Sequence, residues 1–152
     1  MEREPRIDLY RQMVLIRRFE DAAGEQYGRG RIGGFLHLYI GEEACAVGAI
    51  AAIRDTDYVV THYRDHGHAL AKGCAPRNVM AELFGKATGV SRGMGGSMHL
   101  FCAQHRLMGG YAIVGGHLGI GMGIGLGIAH CQGEEVCLVF FGDGAVNEGA
   151  FH

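Results

Sequence analysis

An α/β fold, a parallel sheet with helices on both faces, is what this sequence predicts, and three observations carry the prediction. The continuous apolar run "VCLVFF", Val136 to Phe141, has the length and composition of a strand buried on both faces. Helical periodicity marks several separate stretches upstream of it. Between the stretches lie glycine clusters, at Gly28 to Gly34, Gly85 to Gly96, Gly109 to Gly127 and Gly142 to Gly149, which read as backbone-lined loops between regular elements. The order helix, strand, glycine loop, helix is that of a sheet covered by helices.

From Asp8 to about Tyr27, Leu9, Met13, Ile16, Phe19 and Ala23 recur three or four residues apart with charges between them, the pattern of an amphipathic helix ended by Gly28 and Gly30. Glu42 to Ile53 has acids in its first turn and a small, apolar body, and is expected to be a buried helix. Tyr58 to Thr61 is a short strand that turns polar abruptly, as happens where open α/β sheets place ligands. Pro76 to Phe84 is a helix with proline in its first turn. The glycine-rich "GKATGVSRGMGGSMHL" follows as a long loop, of a length that is usually functional or mobile. In "HLGIGMGIGLGIA" glycine alternates as on one face of a strand. A helix is favoured, because small residues let it pack closely under a sheet. Val136 to Phe141 is the buried strand, and residues from about Asn147 on are expected to open a further helix.

The chain has 152 residues, 48% hydrophobic and 20% charged, which fits one globular unit and not two. Lys plus Arg number 14 against 16 for Asp plus Glu, so a net charge near −2 gives no electrostatic case for nucleic acid or an anionic membrane surface. Cys45, Cys74, Cys102, Cys131 and Cys137 are far apart with no CxxC, and are expected to be reduced core thiols. The N-terminus, "MEREPRIDLYRQ", is charged at once and lacks a signal-like apolar region, and no segment approaches a spanning helix.

Four stretches can carry chemistry. In "FFGDGAVNEGAFH" a buried strand would deliver Asp143 to the carboxyl edge of the sheet, where a hard divalent cation such as Mg2+ and a phosphate could be held. The amides of Gly144 and Ala145 would then meet the phosphate. An ordinary turn, with the glycines supplying positive φ, explains the same residues. In "THYRDHGH", His62 and His66 at i, i+4 with His68 could bind a metal. Gly67 interrupts any helix there, however, and Arg64 with Tyr63 suits a diphosphate better; a solvated loop arginine is the plain alternative. His37 is a polar residue in an apolar stretch, by itself best read as a satisfied core histidine. "GYAIVGGH", residues 110 to 117, is a loop whose backbone and apolar side chains could face a flat heteroaromatic ring, or simply a packing turn.

Together "GFLHLYIGEEACAVG", "THYRDHGHALAKG", "RGMGGSMH", "GGYAIVGGHLG" and "VCLVFFGDGAVNEGAFH", in that order, resemble the alpha subunit of the thiamine-diphosphate-dependent 2-oxo acid dehydrogenases, the E1 component, most closely of the pyruvate dehydrogenase type. The resemblance runs from about Ile7 to the last residue and implies a thiamine-diphosphate-binding fold, of which residues 1–152 would be an N-terminal part, incomplete at the C-terminus. It implies that Asp143 binds Mg2+ and that Tyr63, Arg64, Gly144 and Ala145 contact the cofactor's diphosphate. Ala112, Ile113 and Val114 would meet its aminopyrimidine, and His37 would lie near the substrate. Ala112 stands for a usual glycine, which keeps the backbone carbonyl but restricts φ; His117 stands for a common glutamine and Gly119 for a proline. The second metal ligand and a later active-site histidine would fall beyond His152. The implied reaction is oxidative decarboxylation of pyruvate with transfer of the acetyl group to a lipoyl group. The implied partners are an E1 beta subunit, in an alpha2beta2 heterotetramer, and the lipoyl acyltransferase E2 component. The implied compartment is the bacterial cytoplasm, or the mitochondrial matrix or plastid after removal of a presequence.

Other readings stay open on sequence grounds. Acetoin or branched-chain 2-oxo acids are alternative substrates within the family. Outside it stand a Rossmann-type nucleotide module, which lacks G-x-G-x-x-G in register, a His-cluster metal protein, and a non-catalytic fragment.

Overall fold

Helix α1, Arg3–Gly28, turns Ile16, Phe19 and Ala23 into the core, as their spacing requires. The computed structural model describes residues 3–152, so Met1 and Glu2 of the charged N-terminal stretch lie outside it. Helix α2, Glu43–Ile50, packs on α1 and buries Ala46, Val47 and Ile50. It is shorter than expected, and Ala44 and Cys45 on its other face are exposed. Helix α3, His66–Ala71, was not anticipated, because Gly67 looked like a helix breaker. A Cβ on Gly67 would lie 2.2 Å from the ring of Tyr39, so the glycine is where that buried ring docks. Helix α4, Pro76–Leu83, forms where proline at its first turn predicts it.

The sheet has three parallel strands in the order β2-β1-β3, with β1 Tyr58–His62, β2 Leu107–Tyr111 and β3 Cys137–Val139. Val59 pairs with Leu107 on one side and Leu138 on the other; Val59 and Leu107 belong to the core under α1 to α4, and the partly buried Leu138 packs against it. Val60 pairs with Val139, whose side chain points to the opposite face. There α5, Leu118–His130, approaches so closely that a Cβ on Gly121 would fall 2.3 Å from Val139 Cγ2. Helices therefore cover both faces of the sheet.

Four expectations need correction, and one strand was not foreseen. β3 is not a strand buried on both faces: it spans three residues, pairs only with β1 among the described residues and is half-buried. Helix α5 is helical as expected but not buried, since only Gly121 reaches the core while Met122 is 74% and Leu126 71% exposed. No α-helix opens at Asn147. Instead 3-10 turns span Asp143–Asn147 and Gly149–Phe151, interrupted by Glu148 in an extended conformation. Strand β2 lay hidden behind two glycines, one of which, Gly110, has the Asp65 carboxylate where a Cβ would stand. Cys45 and Cys131 are exposed, so the thiols are not all in the core.

The long glycine loop is gathered at its centre by a buried carboxylate, with the Ser91 hydroxyl and His66 holding it further along. Glu82, fully buried on α4, accepts hydrogen bonds from Ser91 and Gly93 N–H at Oε2 and from Gly95 and Gly96 N–H at Oε1, at 2.7–3.2 Å. Asp57 plays a comparable part beneath the sheet, taking Val136 N–H at 2.9 Å and so fixing the approach to β3. Among the described residues no helix is long and apolar enough to cross a membrane.

Candidate functional site

The carboxyl ends of β1 and β3 lie side by side, and the segments leaving them enclose a cavity of about 360 Å³. His62, Tyr63 and Arg64 follow β1; Gly142, Asp143, Gly144 and Ala145 follow β3; Val114, Gly115 and His117 come from the segment before α5, and Glu42 from the turn before α2. Six of the residues singled out in the sequence, Tyr63, Arg64, Val114, Asp143, Gly144 and Ala145, thus share one space. Ala112 lines a second cavity of about 330 Å³ with Ile113, His99 and Tyr111. His37 stands behind Tyr63, their ring centroids 4.6 Å apart. Glu42 and Gly142 were not foreseen as wall residues, His62 was read only as a metal candidate, and Gly115 and His117 belong to the 110–117 loop expected to face a ring.

The backbone at the GDG turn separates the two readings of that motif. Neither Gly142 nor Gly144 is among the residues with positive φ, and a Cβ at either would meet nothing within 4 Å. The turn therefore does not require glycine, and the open space beside it belongs to the cavity. Ala112 likewise avoids positive φ, so alanine is accommodated there without strain.

Arg64 is the cation of the wall. Its Nη1 donates to the Leu38 carbonyl at 2.8 Å, and its Nε lies 3.9 Å from Glu42 Oε1. The guanidinium is held in place and half-exposed, with its remaining donors available to an anion. Ala145 is buried and its N–H donates to the Gly142 carbonyl at 3.0 Å, so that amide already has a turn partner. Burial, then the nearby charges of Arg64 and His66, lowers the pKa of His37, whose Nδ1 is buried without a partner among the described residues. Burial also pushes the His62 imidazole down to about 4, with His117 and Arg64 adding to the effect, so it is neutral near pH 7.

The three-histidine metal site does not form. His62 ends a strand and its Nδ1 accepts the Arg64 N–H. His66 is turned to Glu20 and Ser97, and His68 to Tyr39, Thr61 and the Arg64 carbonyl. Among the described residues no three His, Cys, Asp or Glu side chains are grouped to hold a metal. Asp143 offers one hard carboxylate, which suits a cation such as Mg2+ that keeps several waters and takes its other ligands from a bound phosphate. An arginine, a carboxylate and an unobstructed glycine turn in one cavity fit a magnesium diphosphate.

A family model described as Dehydrogenase E1 component matches residues 11–152. The chain is similar to the pyruvate dehydrogenase E1 component subunit alpha of Rhizobium meliloti (strain 1021), 50% identical over 147 residues that cover 97% of this chain and 42% of the relative. The subunit of the same name from Zymomonas mobilis subsp. mobilis (strain ATCC 31821 / ZM4 / CP4) is 48% identical, covering 97% and 42%. Pyruvate dehydrogenase E1 component subunit alpha-3, chloroplastic, of Oryza sativa subsp. japonica is 47% identical, covering 98% and 37%. The chain spans about two-fifths of the length of these curated relatives.

Proposed function

Because this chain belongs to the dehydrogenase E1 component family, we propose that it forms the N-terminal part, residues 1–152, of a thiamine-diphosphate-binding domain in the alpha subunit of pyruvate dehydrogenase E1. The enzyme decarboxylates pyruvate oxidatively and passes the acetyl group to a lipoyl group of the E2 acyltransferase. The observation that carries the reading is the cavity that gathers Tyr63, Arg64, Val114, Asp143, Gly144 and Ala145 around a glycine turn whose backbone does not itself demand glycine.

Asp143 holds the Mg2+, and Arg64 with the Tyr63 hydroxyl takes diphosphate oxygens through charge-assisted bonds. The Gly144 amide, and that of Ala145 by sharing its turn bond, complete the anion cradle. The backbone of Ala112, Ile113 and Val114 faces the aminopyrimidine. Bound there, thiamine diphosphate supplies the carbanion stabilisation that decarboxylation of a 2-oxo acid needs. His37, uncharged near neutral pH, can accept a proton beside the substrate. An E1 beta subunit in an alpha2beta2 heterotetramer contributes the other wall of the site. The bacterial relatives and the chloroplastic one support either a bacterial or an organellar setting.

The test is Asp143→Ala in the full-length subunit assembled with its beta partner. Calorimetry should find Mg2+-dependent binding of thiamine diphosphate abolished while circular dichroism is unchanged. Undiminished cofactor affinity would overturn the reading.

A further inference from the structure

Three side chains in the cavity wall, Glu42, His62 and His117, have no role in the reading above. His117 is 1% exposed and precedes α5 directly, reaching from there to the end of β3. Its Nε2 lies 2.7 Å from the Phe140 carbonyl oxygen. A carbonyl oxygen only accepts, so Nε2 carries the proton, and in the neutral ring Nδ1 is left as an acceptor. The Tyr111 ring lies nearly parallel, at 10° and 6.0 Å between centroids, which fixes the imidazole plane. Nδ1 is buried and has no hydrogen-bond partner among the described residues, yet the ring borders the same cavity as Arg64 and Asp143. His62, the other imidazole of the wall, makes no hydrogen bond to it; the His62 Nδ1 is engaged by the Arg64 N–H.

The site therefore contains an oriented acceptor in want of a donor. Diphosphate oxygens near neutral pH are acceptors and cannot supply one. A divalent cation of the Mg2+ type keeps several waters, and its charge makes their O–H groups strong donors. A histidine whose second nitrogen donates to a backbone carbonyl has its tautomer and plane set, as that same bond does for histidines that ligate a metal directly. We propose that His117 is a positioning residue for the cation, its Nδ1 accepting a hydrogen bond from a cation-bound water. The proposal rests on the reading of Asp143 as the cation's carboxylate.

Two substitutions separate the nitrogens of the ring. His117→Gln puts an amide N–H near the Phe140 carbonyl and leaves no acceptor at the Nδ1 position; His117→Asn puts a carboxamide oxygen at that position and gives up the Phe140 bond. The full-length subunit assembled with its beta partner is titrated with Mn2+ at saturating thiamine diphosphate, free Mn2+ being read by EPR. His117→Gln should weaken Mn2+ binding about tenfold or more, and His117→Asn should weaken it much less. Wild-type affinity in His117→Gln would overturn the proposal, as would His117→Asn being the weaker binder, which would make the Phe140 bond the whole role of the ring. A second measurement needs no substitution: with 15N-histidine in the wild type, pulsed EPR of bound Mn2+ should detect a weak 15N coupling, and its absence would overturn the proposal even where a variant fails to assemble. Asp143→Ala is titrated alongside. If it leaves Mn2+ binding intact, the cation-site reading falls; if it abolishes binding while His117→Gln is silent, only the His117 proposal falls.

Discussion

His68 is buried among neutral partners, and such a histidine has a pH signature. Its Nδ1 donates to the Arg64 carbonyl at 3.2 Å and lies 3.1 Å from Thr61 Oγ1, while Nε2 accepts from the Tyr39 hydroxyl at 3.3 Å. Burial, reinforced by His62, pushes its pKa down to about 3, against about 6.5 in an unfolded chain. Between those values the unfolded state binds more protons, so the contribution of His68 to stability is complete above about pH 6.5 and is lost as pH falls toward 3. The loss of melting temperature on acidification from pH 6.5 to 4 should be shallower in His68→Gln than in the wild type; parallel curves would refute this. Asp65, raised to about 7 by burial, has the opposite sign, which is why the difference between the two proteins is the informative quantity. For the cofactor, Arg64→Ala should weaken thiamine diphosphate by roughly 1.5–3 kcal/mol through loss of a charge-assisted contact. Calorimetry on the assembled enzyme measures it, and an affinity unchanged by the substitution for both the diphosphate and the monophosphate would contradict the role.

Among the elements, Glu82 gathers the middle of the loop after α4, since both its oxygens are taken by backbone N–H groups of residues 91–96. Glu82→Ala leaves those amides without their acceptor and should cost about 2–4 kcal/mol in urea unfolding of the full-length subunit. Glu82→Gln should rescue little, because its NH2 group would face two of the same donors; a fully stable Gln variant would argue against the clamp. This loop also marks what sequence can reveal. Its glycines were legible as a loop, but not that a carboxylate on α4 gathers them, because that contact depends on how α4 is oriented. The helices of strong periodicity, α1 and α4, and the strand β1 were legible from spacing and proline. β2 and α3 were not, since Gly110 and Gly67 are read locally as breakers while their cause lies in Asp65 and Tyr39, residues distant in sequence. The candidate site residues were named from motifs, and one cavity gathers six of them. Glu42 entered through geometry that no local pattern encodes.

At the scale of the whole molecule, one exposed apolar flank lies beside the open edge of the sheet. Ile120, Met122 and Leu126 of α5 are exposed, as are Val136 and Phe141 at either end of β3, whose outer edge has no strand partner among the described residues. An open, apolar strand edge invites association with other chains. Residues 1–152 expressed alone should give little soluble protein and no pyruvate-dependent dye reduction, whereas the full-length subunit with its beta partner should give both. A soluble monomer that turns over pyruvate unaided would contradict this. The central position of β1 has a consequence for biosynthesis as well. The strand is complete at His62, but its two neighbours begin only at Leu107 and Cys137. At a translation rate of about 5–20 residues per second, the edges of β1 wait roughly 2–9 s for one neighbour and roughly 4–15 s for the other. Until then the strand that will become the most enclosed in the sheet has at least one edge without its neighbour, and that edge is still open when synthesis reaches β3 and the GDG turn.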